Sequence, residues 1–352
     1  MSRFLSENYK DLVAYVPGEQ PADLSRFVKL NTNENPFPPS EKALEYAAAN
    51  TRPAHLYSDP DCRKLTELLA RTYGVESENV ICGNGSDEIL FFAFSAFCSA
   101  GVPAVCPDIS YGFYPVFAQM ARVPYVSIPL DEDLKIRLSD YDVKGTVFIA
   151  NPNAPTGNAL RPSEIEILLA SDPSRVVVVD EAYVDFGAES CIPLTKKYGN
   201  LLVVQTFSKS RSMAGARLGY AIGDRELISD LQTLKYSLNP YNVNSMTAAL
   251  GEGTLLDADY TRRNCMTVAG NRAYAASELK RLGFVMTDSL ANFVFAKHPK
   301  HSGQEIYEKL KERGVLVRHF GIERIKDYNR ITIGSRTQID ALIKALKEII
   351  EA

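Results

Sequence analysis

Between residues 102 and 223, six almost purely apolar, β-favouring runs follow one another: VPAVCP (102–107), VPYVSIPL (123–130), TVFIA (146–150), RVVVVD (175–180), LLVVQTF (201–207) and LGYAIG (218–223). A strand with one wet face alternates apolar and polar residues. These runs do not, so both of their faces are expected to be covered. Helix-length segments such as SEIEILLA (163–170) separate them, which predicts a mostly parallel sheet with helices on either side, a large α/β domain.

After Asp257 the texture changes. A long charged helix (about 258–282) is followed by the strand NFVFAKH, the helix SGQEIYEKLKERG, the strands VLVRHF and NRITIG, and a closing helix TQIDALIKALKEII. This reads as a smaller α+β domain that the first residues join, giving a large domain over 30–257 and a small one from 1–29 and 258–352. At 352 residues each part has chain enough for its own core.

Several function classes recede on composition. Against 43 acidic residues stand 39 basic ones, a net charge of −4, so there is no basic footprint for nucleic acid or anionic membrane. The N-terminal MSRFLSENYKDLVAY scatters charges where a secretory signal needs an apolar run, so a cytoplasmic protein is expected, and the sequon at Asn84 would then stay unglycosylated. Six separated cysteines (Cys62, Cys82, Cys98, Cys106, Cys191, Cys265) read as buried thiols of a reducing compartment. His298 and His301 lie in a turn-like stretch with no third ligand, and no metal is expected. The uncharged stretch from Ile89 to Pro107 just reaches membrane-span length, but Ser99, Gly101 and Pro103 divide it into a core helix and a strand.

In an open α/β sheet, ligands gather beyond the carboxyl ends of the strands. The residues found there are Asn84-Gly85-Ser86-Asp87-Glu88 after ENVICG, Asn151 to Gly157 after TVFIA, Asp180-Glu181-Ala182-Tyr183 after the valines, and Thr206-Phe207-Ser208-Lys209, with Arg217 eight positions on. Gly-Asn-Gly-Ser-Asp opening a helix suits a phosphate, since glycines admit the anion and first-turn N–H groups face it; a plain helix cap by Ser86 is the competing reading. A dinucleotide fingerprint fails, because Glu88 stands where the third glycine belongs and Asp108 does not repair it. A carboxylate such as Asp180 at the poorly solvated end of a buried strand needs a cation. An arginine or a helix cap could meet that need, but Lys209 on another strand exit makes a protonated heterocycle the more specific partner. Pyridoxal phosphate requires both a lysine for its Schiff base and an acid facing its ring nitrogen. Ser86, Asp87, Thr206, Ser208 and Arg217 would form its phosphate cup.

Asn-Pro-x-x-Pro-Thr-Gly (151–157), Asp-Glu-Ala-Tyr (180–183) and Ser-Lys-x-x-x-x-Ala-Gly-x-Arg (208–217) together resemble the class I/II aminotransferases of the aspartate aminotransferase fold. Within that group the chain is most similar to the histidinol-phosphate aminotransferases, through Ala14 to Gly18, Lys29 to Pro36, Tyr57 to Pro60, Val317-Arg318 and Arg330 to Gly334. The resemblance spans nearly the whole chain. It departs locally at Ala154, where the family often has asparagine, and at Arg211, where the residue type varies.

The resemblance implies the fold type I of pyridoxal-phosphate enzymes and exchange of an amino group between histidinol phosphate and 2-oxoglutarate. Lys209 would carry the cofactor, Asp180 keep its ring nitrogen protonated, Asn153 and Tyr183 bond its phenolic oxygen, and Tyr111 stack on the ring. Gly85 belongs to the phosphate loop, and Tyr57 would serve the neighbouring subunit's cofactor, which implies a homodimer. Arg318 and Arg330, with Tyr15 and Asn33, would bind substrate. A threonine-phosphate decarboxylase or an aromatic amino acid aminotransferase shares the same cofactor residues and is the alternative.

Overall fold

The computed structural model describes residues 2–351. Its strands are β1 (Val28–Lys29), β2 (Val80–Gly83), β3 (Ala104–Pro107), β4 (Tyr125–Ile128), β5 (Thr146–Ala150), β6 (Val177–Asp180), β7 (Leu201–Thr206), β8 (Gly219–Gly223), β9 (Val285–Met286), β10 (Phe293–Lys297), β11 (Val315–Leu316), β12 (Arg318–His319) and β13 (Tyr328–Thr332). Seven of them form the large sheet, in the order β2-β8-β7-β6-β5-β3-β4.

Strands β3 to β7 run parallel, and β8 runs antiparallel between β7 and β2. Every residue of β5, β6, β7 and β8 is buried. Their side chains divide between two cores: Val147, Ile149, Val177, Val179 and Val203 on one face, and Phe148, Val178, Leu202 and Val204 on the other. Burial on both faces, worth about 1.5–3 kcal/mol for each such side chain, is why these runs carry no polar alternation.

Register sets the functional rim. Ala150 pairs with Asp180, Asp180 with Val204, and Thr206 with Gly219, which pairs in turn with Gly83. Because β8 is reversed, it starts at the rim where its neighbours end, and this brings Arg217 beside Ser208.

The smaller antiparallel sheet has the order β12-β13-β10-β9. VLVRHF, expected as one strand, divides at Val317. Val315–Leu316 pair in parallel with Val28–Lys29, whereas Arg318–His319 turn to pair with β13, placing Arg318 opposite Arg330. The uncharged stretch from Ile89 belongs to the helix Ser86–Phe97 and to β3, and among the described residues no helix is long and apolar enough to cross a membrane. All six cysteines are buried and unpaired. His298 and His301 face each other across an isolated bridge that closes a turn.

Candidate active site

The helix Ser86–Phe97 begins without a side-chain cap. Its cap position is Gly85, at φ 81°, and Ser86 is already the first helical residue rather than the cap. The first-turn N–H groups are thus left facing the rim. Two glycines bring three segments together there: a Cβ on Gly85 would lie 2.7 Å from Arg217 Nη2, and one on Gly219 would lie 2.4 Å from the Ser86 nitrogen. Arg217 donates to Ser208 Oγ (3.3 Å) and to Asp87 Oδ2 (3.1 Å), and Tyr111 donates to Asp87 Oδ1 (2.7 Å). Thr206 Oγ1 accepts the Ser208 N–H at 3.1 Å. Glu88, the residue that breaks the dinucleotide pattern, accepts the Asn84 N–H at 2.7 Å and so closes the loop.

Asp180 ends β6 with 5% of its surface exposed. Burial pushes its carboxyl up to about 7, against the opposing effect of hydrogen bonds from Tyr114 Oη (3.1 Å) and the Ala182 N–H (3.2 Å). Lys209 donates to the Thr32 carbonyl at 3.2 Å, and burial, with the nearby Arg330 guanidinium, lowers its amine to about 8. Ser86, Asp87, Tyr111, Asp180, Tyr183, Thr206, Ser208, Lys209 and Arg217 enclose one cavity of about 100 Å³, with Ala154 in its wall. An anion cradle, a buried amine and a buried acid therefore share one small space. Pyridoxal phosphate, with its phosphate, aldehyde and basic ring nitrogen, fits that donor set.

Asn153 does not join them. Its Nδ2 donates to the Ile109 carbonyl (2.9 Å) and to Thr156 Oγ1 (3.1 Å), and its Oδ1 accepts from Ser110 Oγ (2.7 Å). The amide is used within its own turn, and the next residue, Ala154, is the one that reaches the cavity wall. Both amide hydrogens of Asn153 are spent there, and none is left for the expected bond to a phenolic oxygen. The Asn33 amide is engaged by protein at both ends, its Nδ2 donating to Tyr183 Oη (3.0 Å) and its Oδ1 accepting from Thr332 Oγ1 (3.0 Å).

A second space, of about 440 Å³, adjoins the first across Ala154 and Tyr111 and is lined by Tyr15, Arg318, Arg330 and Phe320. Arg318 donates to the carbonyls of Val16 (3.0 Å) and Pro17 (3.2 Å), pinning the N-terminal segment. Arg330 donates to the Asn31 carbonyl (3.1 Å), and its Nε is buried without a partner. Tyr15 stacks on Phe113 with centroids 4.1 Å apart. Tyr57 is 75% exposed, stacks on Tyr241 and lies outside this chain's cavity.

Sequence reasoning missed three contributors: Tyr114, which bonds Asp180; Thr332, which holds Asn33; and Ser110, which turns Asn153 away. Only Tyr114, three positions after Tyr111 in the same aromatic run, carried a local signal.

A family profile described as Aminotransferase class I and II matches residues 25–346. Histidinol-phosphate aminotransferase 1 of Bordetella parapertussis is 46% identical over 99% of both chains, and histidinol-phosphate aminotransferase 1 of Pseudomonas aeruginosa is 47% identical over 98% of this chain and 99% of its own. The crystal structure of histidinol-phosphate aminotransferase from Sinorhizobium meliloti, in complex with pyridoxal-5'-phosphate, superposes with a TM-score of 0.87 at 23% identity, covering 99% of each chain.

Proposed function

The chain belongs to the class I and II aminotransferase family, and from that membership we propose that it moves an amino group between histidinol phosphate and 2-oxoglutarate, using pyridoxal phosphate held at Lys209. The relatives at 46 and 47% identity over essentially the whole length carry that activity in their names. The observation that carries the site reading is the single cavity in which Lys209, Asp180 and the uncapped helix start meet. Once bound, pyridoxal phosphate supplies a carbonyl carbon that exchanges amines and a protonated ring that accepts the electron pair left by a departing proton.

The chain's own groups do the rest. Lys209 would hold the cofactor through its amine and, when free, would be the base placed to move the proton of the substrate carbon; burial and the Arg330 guanidinium already lower that amine to about 8. Asp180, whose burial raises its carboxyl to about 7, would face the ring nitrogen, and a proton held there would favour its ionised form. Ser208, Thr206, Arg217 and the first-turn N–H groups of the helix at Ser86 hold the phosphate, and Gly85 gives it room. Tyr111, tied to Asp87, would lie against the ring, and Tyr183 would bond its phenolic oxygen.

Arg318 and Arg330 face each other across β12 and β13, each 5.7 Å from the Phe320 ring. Like charges directly opposite repel unless an anion lies between them. A phosphate or carboxylate meets that demand, and the forked guanidinium suits either one. Tyr15 forms the adjoining wall.

The working unit we propose is a homodimer in which Tyr57 serves the neighbouring cofactor, and the compartment is the cytoplasm, supported by six unpaired buried thiols. A coupled assay comparing histidinol phosphate, phenylalanine and threonine phosphate tests the substrate. Histidinol phosphate should lead by at least about tenfold in kcat/KM, the scale of one charge-assisted contact. Equal use of phenylalanine would transfer the assignment to an aromatic aminotransferase.

A further inference from the structure

Tyr183 is reached by a hydrogen-bond chain that starts on the small sheet. Thr332, at the end of β13, accepts the main-chain N–H of Asn33 on its Oγ1 at 2.9 Å. Its own hydrogen then goes to Asn33 Oδ1, 3.0 Å away, and this fixes the orientation of the amide. Nδ2 is left to donate to Tyr183 Oη at 3.0 Å. A second anchor, Asn292 Nδ2, donates to the Asn33 carbonyl at 2.9 Å. Asn33 is 1% exposed and held at φ 56°, a left-handed conformation that asparagine tolerates better than most residues.

Because Tyr183 Oη accepts from Asn33, its own hydrogen points elsewhere, and among the described residues it meets no acceptor. Tyr183 also lines the cavity. Across that cavity, position 154 offers a methyl group and the Asn153 amide is turned away, so neither residue of that turn supplies a second donor.

We propose that Asn33, oriented by Thr332, is a positioning residue that aims the Tyr183 hydrogen at the phenolic oxygen of the cofactor, with no second side-chain donor supplied by the turn at 153–154. The inference rests on pyridoxal phosphate occupying the cavity at Lys209. A donor at the phenolic oxygen stabilises negative charge on it and so weakens the hold of the adjacent nitrogen, contributed by Lys209, on its proton. A hydrogen bond accepted by Tyr183 makes its own O–H the stronger donor. The charged groups around this phenol are Arg330, Asp180, Asp87 and Lys209, with Glu34 and Arg217 also near the Lys209 nitrogen, and substitutions at 33 or 332 replace none of them.

The experiment is a pH titration of the visible absorbance of the bound cofactor, without substrate. Thr332→Val should raise the midpoint by roughly half to one pH unit, the scale of one hydrogen bond, and Thr332→Ser should return it to the wild-type value. Asn33→Gly, which keeps the left-handed backbone and deletes the amide, should match Thr332→Val even if the valine variant folds poorly. Tyr183→Phe should raise the midpoint at least as far, and adding Thr332→Val to it should raise it no further. A wild-type midpoint in Asn33→Gly, or shifts that add to that of Tyr183→Phe, would overturn the relay. Wild-type protein that takes up no cofactor would instead overturn the site reading beneath it.

Discussion

A buried amine beside a guanidinium gains by losing its proton, and this places Lys209 near 8 rather than in the ordinary lysine range. The neutral, nucleophilic form grows as pH rises through about 8 and is complete above it. The rate at which cofactor-free protein takes up pyridoxal phosphate should therefore climb to a plateau just above that pH, whereas an ordinary lysine would still be climbing about two units higher. Stopped-flow absorbance reads this, and Arg330→Ala, which removes the second cause of the shift, should move the plateau upward. Asp180 has the opposite character. Its folded value is raised, so its stabilising proton is retained at low pH and lost as pH rises toward about 7, leaving an unpaired buried carboxylate above that. In cofactor-free protein, Asp180→Asn should raise Tm more at about pH 8 than at about pH 5.5, since asparagine has no charge to bury. In the loaded enzyme, the same change should lower turnover by roughly two orders of magnitude or more while cofactor still binds. A variant with near-normal turnover would leave Asp180 a structural role only.

At the scale of single elements, close approach decides function. Strand β8 begins at Gly219, where a Cβ would sit 2.4 Å from the Ser86 nitrogen, so Gly219→Ala must push the strand away from the helix start that would cradle the phosphate. Cofactor dissociation should become roughly tenfold more favourable, a change of the order of one charge-assisted hydrogen bond. Gly199→Ala, with no atom within 4 Å of the added carbon, should leave it unchanged. Equilibrium titration of both variants with pyridoxal phosphate measures the difference. Much of this scale was legible in the sequence: uniformly apolar runs named β3 to β8 to within a few residues, and the residues at their exits supplied Asp180, Lys209 and the helix at Ser86. Two kinds of information were not legible. Which of two neighbours in a turn faces the cavity depends on its backbone path, so Asn153 was chosen where Ala154 stands. A relay such as Thr332 to Asn33 joins residues 299 positions apart, and no local pattern announces it.

At the scale of the whole molecule, the 440 Å³ space is lined both from the end of β3 and from β12 and β13. Arg324, beside β13, reaches Asp108 at the end of β3 and the carbonyls of Leu130 (2.9 Å) and Asp131 (3.1 Å), so Asp108 helps tie the two parts together. We propose the division into 30–257 and 1–29 with 258–352: two apolar cores flank the large sheet, and a third is built mainly on the small one, joined by Ala154, Tyr183 and Phe186. A single chain leaves Tyr57 75% exposed, among the exposed apolar side chains of Leu56, Tyr241 and Met246. A surface of that kind is suited to a second copy. If Tyr57 serves the partner's cofactor, Lys209→Ala and Tyr57→Ala must complement each other. In a dimer of one chain of each kind, one site combines both defects and the other combines neither. Random exchange of subunits makes about half of the dimers mixed, each with one intact site of two, so an equal mixture of the two crippled proteins should recover about a quarter of wild-type activity. If Tyr57 acted only within its own chain, the intact lysine and the intact tyrosine could never meet in one site, and mixing would restore nothing.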